Sequence, residues 1–400
     1  MVDEKLWLLP DGVDEVLPPR ARQLEELRRR LLDLFERWGY ELVMPPLVEY
    51  LDSLLSGIGE DLDLQTFKIT DQVTGRLLGV RADITPQVAR IDAHRLPSTA
   101  PQRLCYLGTV VHTRPDKFAG SRNPLQIGAE LYGHTGIEAD AEIISLLLEL
   151  LTVAGISSVT VELGHMGLFH AICEHAHFAA ALESRILRLL LLKDATGLNE
   201  ELTAAGATSP VTEHLNALLE LNGDDAVLPQ ARRALARAPA SVVAALDDIA
   251  RLIDLLRARV PQADIHLDFA ELRGYRYHTG VMFAAYTPTA GRAIAWGGRY
   301  DNIGHSFGRA RAATGFSTDL KVLATLSGAV RVSLPKIFAP AAGDAALQAA
   351  IRHYRSSGYA VVEGLPGQQG SALDMGCDQQ LVNHAGAWQL DEIQHPSASK

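Results

Sequence analysis

The chain has 400 residues, 47% of them hydrophobic, and its 48 acidic and 37 basic side chains give a formal charge of −11. This length predicts roughly two to three domains, and the acidic balance leaves no overall electrostatic footprint for nucleic acid. Three widely spaced cysteines without a CxxC pair, no signal peptide and no apolar run long enough to cross a bilayer predict a soluble protein of the cytoplasm.

The first hundred residues alternate helical and strand patterns. Apolar residues recur at helical spacing until Gly39, and prolines 45 and 46 then stop a strand. The predicted elements are an amphipathic helix 20–38, a strand 40–44, a short helix 51–58, and a hairpin of strands 66–69 and 76–80.

The segment RADITPQVARIDAH passes from a strand to a helix that Pro86 opens. Asp83 precedes this helix and either caps it or accepts a hydrogen bond from a cationic ligand. Taken alone, the segment favours the cap.

Two further strands are predicted at 104–113 and 125–132. In the second strand Gln126, Gly128 and Glu130 alternate with apolar residues, so one face is polar. That face is either solvated or, if it is roofed, offers two neighbouring acceptors for an ammonium group, with room left by Gly128. The sequence leaves both alternatives open.

A helix at 136–151 and a strand at 158–163 precede a group of histidines and one cysteine: His165, His170, Cys173, His175 and His177. Their spacing does not bring four ligands within tetrahedral reach, so the sequence predicts no metal site. Residues 168–259 are rich in leucine and alanine, which predicts a helical insertion.

The stretch 271–320 places Tyr, Arg and His side chains beside two apolar strands, 281–285 and 293–296. This predicts a pocket floor on a sheet, where the pair Gly297–Gly298 lets a ligand or another backbone approach closely. Residues 315–326 are predicted to form a helix below it. The tail predicts a small α/β unit with a strand 336–339, a helix 345–355, a strand 360–363 and strands near Gln380 and Trp388.

Five motifs together resemble one family over residues 5–325. They are the helix–strand–Pro46 unit, VRADITPQVARI, QIGAELYG, ELRGYRYHTGVMF and WGGRYDNIGHSFGRARAATGF, in the order and spacing of class II histidyl-tRNA synthetases. The resemblance implies an α+β fold, an antiparallel sheet flanked by helices over 1–326 with the helical insertion at about 168–259, followed by a small C-terminal α/β domain over 335–400.

The resemblance also implies a site for histidine. Gln126 and Glu130 would hold the α-ammonium, Asp83 and Thr85 would complete that end, and Arg273 would meet the carboxylate. Tyr277 and His278 would lie near the imidazole. A zwitterion in a dry site needs both of its charges balanced.

The departures from the synthetases concern ATP. A gapless count places His112 and Arg114 where that family has an arginine and a glutamate, and Val322 where it has the arginine that lies against the triphosphate. An apolar valine cannot offset phosphate charge. The chain is therefore expected to form no adenylate and to contain no catalytic residue.

This combination is similar to the synthetase-like regulatory subunits of ATP phosphoribosyltransferase. The resemblance implies a homodimeric core inside a hetero-octamer with the short-form catalytic subunit, which it activates, and feedback inhibition by histidine. It implies no cofactor and no nucleic-acid or membrane partner. An active histidyl-tRNA synthetase and a free-standing histidine sensor remain as alternatives.

Overall fold

A computed structural model describes residues 8–56, 60–96, 98–115, 121–271, 278–328 and 334–393. The chain divides into two compact units, Met1–Ala329 and Val330–Lys400. The predicted ligand contacts Arg273 and Tyr277 lie outside the described residues.

The first unit alternates helices and strands up to its sixth strand. Its elements are α1 (Arg20–Arg37), β1 (Glu41–Val43), β2 (Val48–Tyr50), α2 (Leu51–Leu54), α3 (Glu60–Gln65), β3 (Phe67–Thr70), β4 (Leu77–Val80), α4 (Thr85–His94), β5 (Gln102–Thr109) and β6 (Leu125–Tyr132).

After β6 the chain becomes mainly helical before strands return. The elements are α5 (Ile137–Val153), β7 (Thr160–His165), α6 (Met166–His175), α7 (Ala180–Leu191), α8 (Ala195–Ala204), α9 (Ser209–Glu220), β8 (Asn222–Gly223), α10 (Val227–Ala234), α11 (Ala240–Arg259), β9 (Asp264–Asp268), β10 (Val281–Tyr286), β11 (Ala295–Arg299), a 3₁₀ turn (Ile303–Phe307), β12 (Ala313–Asp319) and α12 (Leu320–Leu326).

A nine-stranded sheet in the order β1-β5-β6-β12-β11-β10-β7-β9-β8 organises this unit. Its central pairs, from β5 through β7, are antiparallel. The face that carries Ile127 and Phe316 is covered by α1 and α5, where Phe35 and Phe316 lie with ring centroids 6.3 Å apart. We call the opposite face, which carries Glu130, the site face.

The site face is roofed at one end. Helix α4 and the 3₁₀ turn pack over β5 and β6 and bury Val88, Tyr132, Tyr300 and Phe307. Further along the sheet, over β10, β11 and β7, the same face borders a cavity. Glu130 lies between the roofed end and this cavity.

The prediction of a helix over 315–326 is wrong in its first half. Residues Ala313–Asp319 form β12, a central strand between β6 and β11, and the helix begins only at Leu320. The β-branched and aromatic residues Thr314, Phe316 and Thr318 alternate along the buried face of a sheet, which favours a strand. Asp319 accepts a hydrogen bond from Lys321 N–H at 2.9 Å and caps α12.

Most other predicted elements are confirmed. Helix α1 ends before Gly39, which has a φ of +76°, and β3 pairs antiparallel with β4 as the predicted hairpin. The second unit contains β13 (Lys336–Ala339), α13 (Ala345–Ser356), β14 (Ala360–Glu363), β15 (Gln379–His384) and β16 (Ala387–Glu392). Its sheet has the order β14-β13-β15-β16 around a core that includes Ile337, Leu347 and Leu381.

Candidate functional site

Glu130 is the centre of the candidate site. Only 1% of its surface is exposed, and its partner across the β6–β12 pair is Gly315. A Cβ atom at position 315 would overlap the Glu130 carboxylate, so only glycine leaves room for this side chain. The polar face of β6 is therefore buried at Glu130, which excludes the solvated alternative at this residue.

Three hydroxyl groups surround the Glu130 carboxylate. Thr85 Oγ1 donates to Oε1 at 3.0 Å, Tyr106 donates to the same oxygen at 3.2 Å, and the Tyr300 hydroxyl donates to Oε2. Burial raises the pKa of Glu130 to about 8, although these hydroxyls counteract the rise. Within the described part of the chain no lysine or arginine pairs with this carboxylate.

Asp83 and Gln126 form a second acidic corner at the start of α4. The Gln126 amide donates to Asp83 Oδ1 at 2.7 Å, and its oxygen accepts the Ile84 N–H at 2.9 Å. Asp83 Oδ1 also accepts the Thr85 N–H at 3.1 Å, but the cap residue of α4 is Ile84, so Asp83 lies one residue before the cap and is not the cap that the sequence favoured. Gln126 holds Asp83 in place and has both of its polar atoms engaged.

Gly128 provides room for protein rather than for a ligand. A Cβ at this position would overlap the Tyr106 hydroxyl, the group that donates to Glu130. The expectation that Gly128 makes space for an ammonium group is therefore wrong. The space lets the Tyr106 ring cross the sheet face and reach the carboxylate.

The glycine pair has the same use. A Cβ on Gly297 would overlap the Phe283 ring, and one on Gly298 would meet His278 at 2.8 Å. Gly298 is paired with Gly315, so His278 and Glu130 lie above neighbouring strands at the same level of the sheet. His278 is 9% exposed. Of the two alternatives for this pair, the approach of another backbone is the one seen: the nearest atoms are the Gly315 carbonyl oxygen at Gly297 and the Val281 carbonyl oxygen at Gly298, with the Phe283 and His278 side chains beside them.

Sequence reasoning missed Tyr300 as a site residue. The signal was present in the motif GGRYD, where side chains alternate between the two faces of β11. Tyr300 is buried on the site face, whereas Arg299 points to the other side and binds Asp140 at 2.6 Å. Asp301 accepts a hydrogen bond from Thr279 at 3.1 Å and so fixes the chain next to His278.

The three positions predicted to have lost ATP contacts lie at separate places. The His112 ring is 2.9 Å from the Ala82 carbonyl, Arg114 is exposed, and Val322 packs against the hydrophobic core. Next to Val322, the Lys321 ammonium binds the Asp14 carboxylate at 3.2 Å and the Asn123 carbonyl at 2.8 Å. The cation that this segment supplies is thus already paired with a carboxylate.

The histidine-rich segment around α6 has structural contacts. His165 caps α6 by accepting the Gly167 N–H at 3.1 Å, and burial lowers its pKa to about 4. His170 lies 2.6 Å from Glu183. Among the described residues no group of three or more potential ligands could hold a metal ion. The helices of the described ranges include none that is long and apolar enough to cross a membrane.

Two family models match the chain. The model described as histidyl-tRNA synthetase matches residues 12–323, and the model described as the ATP phosphoribosyltransferase subunit HisZ C-terminal domain matches residues 335–391.

Similar proteins with curated names match nearly the whole chain. The ATP phosphoribosyltransferase regulatory subunit of Thioalkalivibrio sulfidiphilus is 54% identical, over 96% of this chain and 97% of that protein. The protein of the same name from Methylococcus capsulatus is 50% identical, over 96% of this chain and 95% of its own length.

Solved structures agree on the fold. An ATP phosphoribosyltransferase regulatory subunit/histidyl-tRNA synthetase from Bacillus halodurans C superimposes with a TM-score of 0.82 at 26% identity, covering 94% of this chain and 97% of that one. A histidyl-tRNA synthetase from Nostoc sp. PCC 7120, at 17% identity, has a TM-score of 0.76 over 94% and 91% of the two chains. The predicted α+β fold of class II synthetase type is confirmed, and the chain belongs to the family of ATP phosphoribosyltransferase regulatory subunits.

Proposed function

We propose that this chain performs no catalysis of its own, activates the short-form catalytic subunit of ATP phosphoribosyltransferase, and makes that activity sensitive to histidine. The observation that carries the proposal is Glu130: a buried carboxylate that three hydroxyls orient and that no cation of the described residues neutralises. Such a group favours a ligand that brings its own positive charge.

The α-ammonium of histidine is the charge that suits this site. Glu130 accepts one of its hydrogen bonds, and Asp83, which Gln126 and the Thr85 N–H hold in position, accepts another. Thr85 belongs to both groups, since its hydroxyl bonds Glu130 while its N–H bonds Asp83. The ammonium therefore lies between two carboxylates whose positions are already fixed.

The remaining ligand contacts are assigned by the resemblance. Arg273 pairs with the carboxylate of histidine, and Tyr277 lies near the imidazole. His278 is buried beside Glu130, above the neighbouring strand, which is a suitable position for contact with the same ligand. Histidine is then the allosteric ligand, and no cofactor or metal takes part.

The neighbourhood of Val322 supports the absence of adenylate formation. A bound triphosphate needs fixed cations, but Lys321 is paired with Asp14 and Val322 lies against the core. His112 and Arg114 supply no arginine–glutamate pair at the positions counted from Gln126. An active synthetase, the principal alternative, needs these groups, and this chain does not have them at those positions.

The names of the relatives and the match of the tail to the HisZ C-terminal domain support the partner. Homodimers of this chain form the core of a cytoplasmic hetero-octamer with the catalytic subunit. Histidine binds two assembly states with different affinity and so shifts the activity of the partner.

The test mixes this chain with the short-form catalytic subunit and measures condensation of ATP with phosphoribosyl pyrophosphate. The proposal expects stimulation by the chain and loss of that stimulation on adding histidine. Absence of stimulation would contradict it. Histidine-dependent exchange of pyrophosphate into ATP by this chain alone would instead support a synthetase, and histidine binding without any effect on the catalytic subunit would support a free-standing sensor.

A further inference from the structure

Asp268 is a buried carboxylate at the junction of two parts of the first unit. It ends strand β9, and 3% of its surface is exposed. On one side lies the helical insertion, residues 168–259, and on the other a turn of Phe269 and Ala270 leads to Glu271. Four hydrogen bonds reach this carboxylate, two from each side. Asp268 therefore joins the insertion to the turn.

The Oδ2 atom of Asp268 binds the insertion. The Lys193 ammonium, from the end of α7, pairs with this oxygen, and the Asn222 amide, from β8, donates to it at 2.6 Å. The His266 ring lies 3.0 Å from the Asn222 carbonyl oxygen and orients that amide. Two separate junctions of the insertion, α7–α8 and α9–β8, are thus held at one oxygen atom.

The Oδ1 atom of Asp268 binds the turn. It accepts the Ala270 N–H at 2.9 Å and the Glu271 N–H at 3.2 Å. Hydrogen bonds from an aspartate to the backbone that follows it hold the chain in a turn. A Cβ atom at Gly164 would meet the carbonyl oxygens of Asp268 and Glu271 at 3.2 and 3.1 Å, so the turn lies directly against β7. Asp268 therefore sets the direction in which the chain leaves β9.

This turn leads to the candidate site. Glu271 borders the cavity on the site face, as His278 does. Two residues after Glu271 comes Arg273, the contact that the resemblance assigns to the carboxylate of histidine. Asp268 thus fixes the last described residues before that contact.

Lys193 stands at a position that its backbone disfavours. It follows α7 with a φ of +51°. Glycine is usual at this place after a helix, because a Cβ atom strains the left-handed conformation. The ion pair with Asp268 gives a reason for a lysine here. The Lys193 side chain is 45% exposed, so the ammonium can be removed without opening the core.

We propose that Asp268 is a positioning residue that couples the helical insertion to the amino-acid site. The two junctions held at Oδ2 hold the turn at Oδ1, and the turn directs the chain towards the ligand carboxylate. Coupling between two sites is reciprocal, so bound histidine stabilises the α7–α8 and α9–β8 junctions in return. The inference rests on the proposed function and deepens it, because it names a route by which histidine acts on a helical module outside its own site.

The first test measures histidine binding by calorimetry on the full chain. Lys193→Gly and Asn222→Ala should each weaken binding by about 2- to 10-fold, the range for one net hydrogen bond. Lys193→Gly separates positioning from stability, because glycine suits the left-handed backbone and offsets the lost ion pair. Its thermal melting temperature should stay near that of the wild type while its affinity for histidine falls.

The second test measures hydrogen exchange of the same proteins with and without saturating histidine. In the wild type, histidine should slow exchange in peptides that contain Lys193 and in peptides that contain Asn222. In Lys193→Gly the effect around residue 193 should disappear, whereas the effect around Asn222 should remain. A lysine that only stabilised the end of α7 would leave the response to histidine unchanged.

The matched control is Arg185→Met, which removes an ion pair of similar exposure inside the insertion, between Arg185 and Glu201. It should bind histidine as the wild type does and keep both exchange effects. If Lys193→Gly and Asn222→Ala bind histidine with wild-type affinity, or if histidine slows exchange at neither junction of the wild type, this inference is overturned while the proposed function stands. If the wild type binds no histidine, both are overturned.

Discussion

Histidine binding should release a proton from Glu130. In the unliganded protein burial holds the pKa of this carboxyl at about 8, so at pH 7 most molecules carry it protonated. An ammonium group beside the carboxylate favours the charged form and lowers the pKa again. The ligand therefore binds the deprotonated protein, and its affinity rises as the pH increases towards 8.

The size of the effect follows from that pKa. At pH 7 about 0.9 proton should leave per histidine bound, and between pH 7 and pH 8 the affinity should rise about fivefold before it levels off. Both groups of histidine change little in this interval, because the imidazole is already largely neutral and the ammonium of a free amino acid, which is less acidic than that of a chain terminus, is still charged. The pH dependence is thus assigned to the protein.

Calorimetry in two buffers with different ionisation enthalpies measures the released proton directly. Tyr300→Phe sharpens the experiment: removing a hydroxyl that donates to Glu130 raises the pKa of Glu130 further, and the rise in affinity should move to higher pH. Tyr359→Phe is the control, since it removes a tyrosine hydroxyl in the second unit. Proton uptake, or no proton exchange at pH 7, would refute the reasoning.

Three further predictions concern stability and the shape of the site. Gly315→Ala should displace the Glu130 carboxylate, abolish histidine binding and cost about 1–3 kcal/mol of unfolding free energy, while Gly343→Ala, with open space around it, should bind normally. Arg299→Met should lower the unfolding free energy in urea by about 3–5 kcal/mol because it leaves a buried carboxylate unpaired, whereas Arg22→Met, in an exposed pair, should cost less than about 1 kcal/mol. Glu130→Gln should be more stable than the wild type at pH 9, by up to about 5 kcal/mol, and similar to it at pH 4. The reason is that the buried site tolerates Glu130 only in its protonated form, which the raised pKa reflects. Equal stability differences at both pH values would contradict this.

The sequence predicted those elements that have a clear local pattern of apolar or turn residues. The apolar spacing of α1 and the turn between β3 and β4 needed no tertiary information, since each signal lies within about 20 residues. Residues 315–319 were misassigned because a short apolar run fits a buried strand and a helix equally well. Only the pairing of β12 with β6 and β11 distinguishes the two.

The site could be predicted by residue type but not by contact. The motifs VRADITPQVARI and QIGAELYG identified Asp83 and Glu130 as candidate ligand contacts. The hydrogen bond between Asp83 and Gln126, however, joins residues 43 positions apart and could not be read from either motif. The glycines show the same limit. A glycine in the sequence indicates that room is needed, but only the fold shows that the Tyr106 and His278 side chains occupy that room.

The measurement that tests the central claim most directly is the histidine response of the reconstituted enzyme. The short-form catalytic subunit is mixed with wild-type chain or with Glu130→Gln, and each rate is expressed relative to its own value without histidine. We predict that histidine suppresses the wild-type mixture and that the variant needs at least about tenfold more histidine for the same suppression. Identical inhibition curves would contradict the assignment of the regulatory ligand to Glu130.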